Sequence, residues 1–228
     1  MSTTSPSTAD QRMSNVNGET AWEVPVSRRG TPTWEMALNF PHQGEWTEEE
    51  YLSREFDGLV EYSDGVLEFL PMPTWSHQMM VDFLHSLLKQ FVQSRSLGYT
   101  AFAPLRVRIR GGKYREPDVL FVTPNRFRGL NKPAEGADLV MEIVSGSAED
   151  RDRDLVEKRA DYAAVGIPEY WIVDPETETI TVLVLRDGTD KYTEHGVFQA
   201  DQQATSILLP SFAVDVAMCF AAGRGESV

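Results

Sequence analysis

Two short apolar runs, each carrying one carboxylate, most constrain what this chain can fold into. The first, residues 118–122, reads DVLFV and begins with Asp118; the second, residues 139–144, reads LVMEIV and contains Glu142. Short continuous apolar runs that are rich in β-branched residues predict strands buried on both faces. A carboxylate in such a strand is costly unless it is paired, hydrogen-bonded or bound to a cation. The runs therefore predict a buried central sheet with two acids on neighbouring strands, and they suggest a metal site.

A lysine on the inward stripe of the following helix strengthens this prediction. Residues 150–165 have helical character, and Leu155, Tyr162 and Val165 repeat at i, i+7 and i+10. Lys158 falls at i+3 of that series and so faces the core. Two carboxylates and one lysine are a minimal set for metal-dependent phosphodiester hydrolysis. The carboxylates hold Mg²⁺, and the lysine orients the attacking water or neutralises developing charge.

Each of these residues also has a structural interpretation. Asp118 follows Pro117 and could cap the start of a strand, and Lys158 follows Asp154 at the i, i+4 spacing of an ordinary helical ion pair. Glu142 is harder to explain in this way, because a glutamate flanked on both sides by apolar residues is rare in a strand without a function. Their occurrence together favours the functional interpretation.

These segments resemble the PD-(D/E)XK nuclease superfamily, with Pro117-Asp118 as its opening pair and Glu142 as its second acid. More closely, the chain resembles the Uma-two family of restriction endonucleases. The residues that carry this resemblance are 116–119 (EPDV), 141–145 (MEIVS), 154–158 (DLVEK) and 166–175 (GIPEYWIVDP), with upstream matches at 46–51, 61–65 and 76–77. The similarity extends from about Trp46 to beyond Pro210.

The resemblance implies an α/β (α+β) fold of the restriction-endonuclease type, with a mixed central sheet flanked by helices. It implies Asp118, Glu142 and the backbone carbonyl of Ile143 as ligands of Mg²⁺ or Mn²⁺, and Lys158 as the active-site lysine. Glu61 would be an additional acid near the metal. Other candidates beside the site are Asp154, Tyr162 and His77, although for His77 the sequence favours local hydrogen bonding at a helix start.

The sequence departs from the superfamily pattern at two places. Val144 stands where a lysine is expected two residues after the second acid, and the resemblance implies that this lysine has moved to the next helix as Lys158. Gly146 and Ala148 stand where relatives tend to carry proline and threonine. The second departure bears on the geometry of the loop that leads into the helix.

A net charge of −14 argues against a polyanionic partner, but the charge is unevenly distributed. Residues 106–132 contain eight basic residues against two acids. Arg106, Arg108 and Arg110 alternate with apolar residues, which places them on one face of a strand. Together with Lys113 and Arg115 they are either a solvated surface or a set of DNA phosphate contacts.

Composition predicts one domain at residues 43–223, preceded by a disordered arm over 1–42 and followed by a tail over 224–228. The single cysteine, Cys219, excludes an intramolecular disulfide and a multi-cysteine zinc site. No apolar run has the length of a bilayer span and no secretory signal is present, so we expect a cytoplasmic protein.

The remaining pattern predicts most elements of the fold. Helices are expected from Thr47 to about Glu55, over about 76–95, over 150–165 and at the C-terminus. A hairpin of residues 59–62 and 66–70 should turn at Asp64-Gly65, with Glu61 pointing inward. Further strands are expected near 99–110, 117–123, 138–144, 168–173, 179–186, 191–198 and 205–209.

The sequence therefore predicts a Mg²⁺- or Mn²⁺-dependent endonuclease that acts on DNA. A homodimer is expected, because two sites cut two strands most easily. Two alternatives stay open. One is a non-catalytic binding or regulatory module built on a nuclease-like scaffold. The other is a metal-dependent hydrolase of small phosphoesters, for which the negative charge is less of an obstacle.

Overall fold

A computed structural model describes residues 40–145 and 151–226. The chain divides into two units, residues 1–42 and residues 43–228, and every element below belongs to the second. Most of the predicted N-terminal arm, and both Gly146 and Ala148, lie outside the described residues. The helices are α1 (Glu48–Ser53), α2 (Trp75–Ser94), a π-helical segment (Arg153–Glu157) that continues directly into α3 (Lys158–Ala164), and α4 (Val216–Gly223).

The strands form two larger sheets and one small one. They are β1 (Val60–Ser63), β2 (Val66–Phe69), β3 (Tyr99–Phe102), β4 (Val107–Arg110), β5 (Lys113–Arg115), β6 (Val119–Val122), β7 (Ala134–Glu135), β8 (Leu139–Ile143), β9 (Glu169–Asp174), β10 (Thr179–Leu185), β11 (Tyr192–Phe198), β12 (Gln203–Thr205) and β13 (Ala213–Asp215). The strand orders are β11-β10-β9-β8-β6-β3, β2-β1-β5-β4-β7 and β12-β13. Within the six-stranded sheet β8 and β9 are parallel and the other neighbours are antiparallel.

The inner strands β6, β8 and β9 of the six-stranded sheet are buried on both faces, as the apolar runs predict. Alternate residues of β6 and β8 enter different cores: Val119 and Met141 pack with α2 and α4, whereas Leu120 and Val140 pack with α3 and β4. A mixed sheet between helical layers is the predicted α+β architecture. The core therefore lies on both sides of the strands that carry Asp118 and Glu142.

The strand register places the two predicted acids together. β6 and β8 are antiparallel with Val119 opposite Met141, and continuing this register by one residue places Asp118 opposite Glu142. By the alternation of side chains, both acids share the face on which α3 packs. The sheet thus delivers two carboxylates to the layer that contains Lys158.

The local signals at the start of the domain have the predicted consequences. Thr47 and Glu50 form the capping box of α1, with Thr47 Oγ1 accepting from the Glu50 amide at 3.1 Å. Asp64 and Gly65 have φ of 47° and 90°, as the two central residues of a tight hairpin turn require. Glu61, on β1, is buried as predicted.

The structure contradicts three predicted boundaries. Residues 99–110 are two strands in different sheets, because Pro104 lacks the amide that a continuous ladder would need. Residues 206–209 are not a strand; the amides of Ile207 and Leu208 instead donate to buried Glu169 Oε2, each at 2.8 Å. The predicted helix over 150–165 contains the π-helical segment. Among the described helices, none has the length and hydropathy of a membrane span.

Candidate active site

Asp118 lies at the start of β6, where it contacts two elements of the domain. Its Oδ2 accepts a hydrogen bond from the Ile143 amide at 2.8 Å and lies 3.2 Å from His77 Nε2. Its Oδ1 accepts no hydrogen bond from the part of the chain that the structure describes. Asp118 is therefore held against β8 through one oxygen, and the other is available to a ligand.

Glu142 is buried in the middle of β8 and binds two donors from α3. Lys158 Nζ donates to Oε2 at 2.9 Å, and the Tyr162 hydroxyl donates to Oε1 at 2.5 Å. Burial raises the pKa of Glu142, the charges of Asp118 and Asp154 raise it further, and the positive charge of Lys158 offsets part of that rise. The two donors fix the orientation of the carboxylate, so Glu142 has a defined direction within the site.

Lys158 lies among three carboxylates. Its Nζ is 2.9 Å from Glu142, 3.0 Å from Asp154 and 4.0 Å from Glu61. Burial lowers the pKa of Lys158, but these carboxylates raise it by more, and the net pKa is raised. The ammonium group therefore stays protonated at neutral pH. In that state it can stabilise negative charge or orient a water molecule.

The π-helical segment aligns Asp154 with Lys158. The Lys158 amide donates to the Arg153 carbonyl, five residues earlier, where an α-helix would use the Asp154 carbonyl. The hydroxyl of Tyr170, on β9, donates to that Asp154 carbonyl at 2.8 Å. Tyr170 thus satisfies the backbone group that the wider turn releases, while the Asp154 side chain binds Lys158.

Glu61 reaches the same cluster from the five-stranded sheet. One of its oxygens pairs with Arg115, and the other accepts from the Glu116 amide at 3.1 Å. Burial raises the pKa of Glu61, but Lys158 and Arg115 lower it by more, and the net pKa is lowered. Glu61 is therefore ionised and already has a cationic partner.

His77 contacts Asp118 through its ring, so the ring does not make the local hydrogen bond at the helix start that the sequence favours. That local role belongs to the His77 amide, which donates to Thr74 Oγ1 at 3.2 Å. Burial lowers the pKa of His77, whereas the hydrogen bond and charge of Asp118 raise it, and the net pKa is raised. Within the described residues, the buried His77 Nδ1 has no hydrogen-bond partner.

These side chains surround a cavity of about 30 Å³, which is room for about one water molecule or ion. Its charged or ionisable lining residues are His77, Glu116, Asp118, Glu142, Arg153, Asp154 and Lys158. Carboxylate oxygens are the ligands that Mg²⁺ prefers, so the donor chemistry of Asp118 and Glu142 fits a divalent ion. A third side-chain ligand is not in position: among the described residues, no three His, Cys, Asp or Glu are arranged to hold a metal.

The five basic residues of the predicted surface form ion pairs with carboxylates of the protein. Each of the five residues has a carboxylate partner within 4.0 Å. The pairs are Arg106–Glu116, Arg108–Glu48, Arg110–Asp64, Lys113–Asp161 and Arg115–Glu61. Arg108 and Arg110 share an outward strand face, as predicted, whereas Arg106 bonds to carbonyls at the end of α1. Contact with DNA stays a prediction for all five.

Arg153 is a residue of the site that the sequence does not reveal. Its side chain lines the cavity, is 10% exposed, and lies 3.4 Å from Glu68. In a regular α-helix, position 153 is turned well away from position 158. Only the wider turn brings Arg153 to the cavity, and no periodicity in the sequence signals that turn.

Comparison with known proteins supports the nuclease-like architecture. A crystal structure of a putative nuclease belonging to DUF820 from Anabaena variabilis matches with a TM-score of 0.62. It has 20% sequence identity to this chain, and the match covers 78% of this chain and 99% of the other. At this identity the likeness shows the fold.

No curated protein matches the chain. The sequence model of the Uma2 family, described as "Putative restriction endonuclease", matches residues 48–217. Since that match spans more than half of the sequence, the chain belongs to the Uma2 family.

Proposed function

We propose that this protein is a divalent-metal-dependent endonuclease that hydrolyses DNA phosphodiester bonds. The main support for the proposal is that Asp118, Glu142 and Lys158 line the same cavity. They come from two adjacent strands and a helix. A family described as restriction endonucleases, and the fold of a protein described as a nuclease, support the same reaction class.

In this proposal Asp118, Glu142 and the Ile143 carbonyl hold Mg²⁺ or Mn²⁺, and Glu61 would join them only by leaving Arg115. The ion supplies activation of a water molecule and stabilisation of charge on the phosphate. Glu61 is the weakest of these candidates, because Arg115 already binds it. The oxygen of Asp118 that accepts no described hydrogen bond is the best placed to accept a cation.

The other residues of the cluster position these groups. Tyr162 fixes the direction of Glu142, and His77 and the Ile143 amide fix that of Asp118. Asp154 holds the Lys158 ammonium at the cavity wall. Because Lys158 stays protonated, it would orient the attacking water and neutralise charge that develops on the phosphate.

The proposal is tested by cleavage of plasmid and single-stranded DNA with Mg²⁺ or Mn²⁺. Asp118→Asn keeps an acceptor for the Ile143 amide but removes the negative charge, so we expect it to fold and to lose cleavage. Asp82→Asn, at an exposed position of α2, is the matched control and should cleave like the unaltered protein. Equal cleavage by Asp118→Asn and Asp82→Asn would exclude Asp118 as an essential ligand.

Two alternative functions would give different results in activity and metal-binding assays of the same protein preparation. The pairing of these five basic residues favours a small substrate over a polyanion, since carboxylates of the protein already compensate their charges. Metal-dependent hydrolysis of bis(p-nitrophenyl) phosphate without DNA cleavage would identify such a phosphoesterase. Absence of Mn²⁺ binding in calorimetry, together with absence of cleavage, would identify a non-catalytic module. Homodimerisation is a further prediction, which sedimentation velocity can test.

A further inference from the structure

Three large apolar side chains are exposed in the segment that joins β2 to α2. Phe69, Met72 and Trp75 are 64%, 77% and 81% exposed. Single exposed apolar residues are common on protein surfaces, but a cluster within seven residues of sequence is more informative and typical of an interaction surface. Phe69 is partly held, because its ring packs edge-to-face on Phe56 at 6.2 Å. Met72 and Trp75 are the more available of the three.

These residues alternate along the chain with residues that line the active-site cavity. Pro71 and Pro73 flank Met72 and belong to the cavity wall, and His77 follows Trp75 in the first turns of α2. Consecutive Cα atoms are about 3.8 Å apart, so the backbone of Met72 and Trp75 lies within about 8 Å of the backbone of residues that line the cavity. Neighbouring nucleotides of a chain with one phosphate at Asp118 would extend beyond so small a cavity, and this segment is a surface that they can reach.

The charges around the cavity favour contact with bases over contact with phosphates. The nearby cations are paired: Arg115 with Glu61 and Asp161, and Arg153 with exposed Glu68. Phosphate binding requires available Lys and Arg, and the chain as a whole carries a charge of −14. Stacking of a base on an aromatic ring needs no surplus of positive charge. In a duplex the base faces are already stacked on one another, so only an unpaired strand can offer them to a side chain.

We propose that Met72 and Trp75 form a stacking platform for unpaired bases, and that the substrate of this site is single-stranded DNA. The assignment to substrate binding rests on the proposed nuclease function. The platform itself is a binding surface that can be measured without any cleavage. Trp75 supplies a ring for one base, and Met72 supplies a polarisable apolar contact beside it.

The test is fluorescence anisotropy of the full-length protein in EDTA, with three labelled probes. These are a short single-stranded oligodeoxynucleotide, its duplex, and an abasic single strand of equal length and charge. We expect the single strand to bind at least about tenfold tighter than either of the others. Trp75→Ala should weaken its binding by roughly fivefold or more, whereas Trp75→Phe should retain most of it.

Leu130→Ala is the matched control, because it removes a side chain that is 93% exposed and is not among the residues lining the cavity. Its affinity should equal that of the unaltered protein, and thermal melts should show that both Ala variants are folded. A second readout is tryptophan fluorescence: quenching on binding the single strand should disappear in Trp75→Phe if Trp75 is the stacked ring.

The proposal is overturned by equal affinity for the abasic strand, by equal affinity for the duplex, by an unaffected Trp75→Ala variant, or by absence of binding to all probes. An RNA of the same sequence that binds more than tenfold tighter would overturn the assignment to DNA. The two proposals can fail separately. Trp75-dependent binding without cleavage in Mg²⁺ or Mn²⁺ would support the stacking platform and contradict the nuclease function. Cleavage that is insensitive to Trp75→Ala would support the nuclease function and contradict the stacking platform.

Discussion

At the scale of single residues, the cluster around Lys158 combines a structural and a chemical role. One buried ammonium group lies within 4.0 Å of Glu142, Asp154 and Glu61. A buried charge without a partner is costly, so Glu142 and Asp154 depend on the lysine for a low-energy folded state, whereas Glu61 also pairs with Arg115. The same charge concentration is what a phosphoryl-transfer site requires. The residue that serves catalysis in the proposal is thus also needed for stability.

Replacing Lys158 by Met keeps most of the side-chain volume and removes the charge. We expect the free energy of unfolding to fall by about 3–5 kcal/mol, because Glu142 and Asp154 lose their buried cation. Urea denaturation in EDTA at pH 7 measures the change. Lys89→Met, at an exposed position of α2, should alter it by less than about 0.5 kcal/mol. Similar effects of the two substitutions would show that the cluster is not energetically coupled to Lys158.

The sequence predicts the members of this cluster that interrupt an apolar pattern. Asp118 and Glu142 stand out because their neighbours are strand core residues, and Lys158 stands out because it occupies an inward helical position. The contacts of Arg153 could not be predicted, because they depend on the π-helical turn that begins at this residue. The carbonyl which that turn releases is bonded by Tyr170 on β9. The pairing of Glu61 with Arg115 was also missed, since it requires the register of β1 with β5.

At the scale of secondary-structure elements, the π-helical segment is stabilised from outside. Its wider turn leaves the Asp154 carbonyl without its usual intrahelical donor, and the hydroxyl of Tyr170 on β9 replaces that donor. An unsatisfied buried carbonyl is unfavourable. The hydrogen bond from Tyr170 therefore links the shape of the helix to the position of β9 in the sheet.

Tyr170→Phe removes this donor and leaves the ring in place. We expect a loss of about 1–3 kcal/mol in the free energy of unfolding, the cost of leaving a buried polar group unsatisfied. Chemical denaturation measures it, with Tyr99→Phe at a half-exposed position as the control. If Tyr170→Phe proves as stable as the control, the carbonyl finds another donor and the π turn is maintained by other contacts.

The element boundaries show where the local sequence pattern is sufficient to predict the structure and where it is not. The capping box of α1 and the Asp64-Gly65 turn are local, and both form as predicted. The division of residues 99–110 between two sheets depends on which partner strands are available on each side of Pro104. The loop at 206–209 depends on Glu169, a buried acid far away in the sequence. In the last two cases, contacts with residues that are distant in sequence determine the backbone conformation.

At the scale of the whole molecule, the central sheet separates two apolar cores. The core beside α2 and α4 contains Cys219, the single cysteine of the chain, which is fully buried. Burial raises the pKa of the Cys219 thiol to about 12, so almost no thiolate is present at pH 8. Reactivity of this thiol should therefore report opening of the domain core.

Cys219 should react with a disulfide reagent at pH 8 at least about a thousandfold more slowly in the native protein than in urea, because reaction requires a sparsely populated open state. Absorbance of the released thiolate gives the rate. The matched control carries Met218→Cys with Cys219→Ala, which moves the thiol to a position that is 42% exposed on the same helix. Equal rates for the native protein and the control would show that α4 detaches readily from the core.

The π turn also has a genetic consequence. From Arg153 to Glu157 the helix contains one residue more than an α-helical path would need, and this surplus residue sets the rotation of Asp154 and Arg153 against Lys158. Loss of one codon between Arg153 and Lys158 would close the turn to a regular α-helix, and Arg153 would then stand four residues before Lys158, at the position that Asp154 occupies in the intact chain. The strands and cores would keep their sequence. A single in-frame deletion can therefore replace the carboxylate beside Lys158 by a guanidinium, and the corresponding insertion would restore the original alignment.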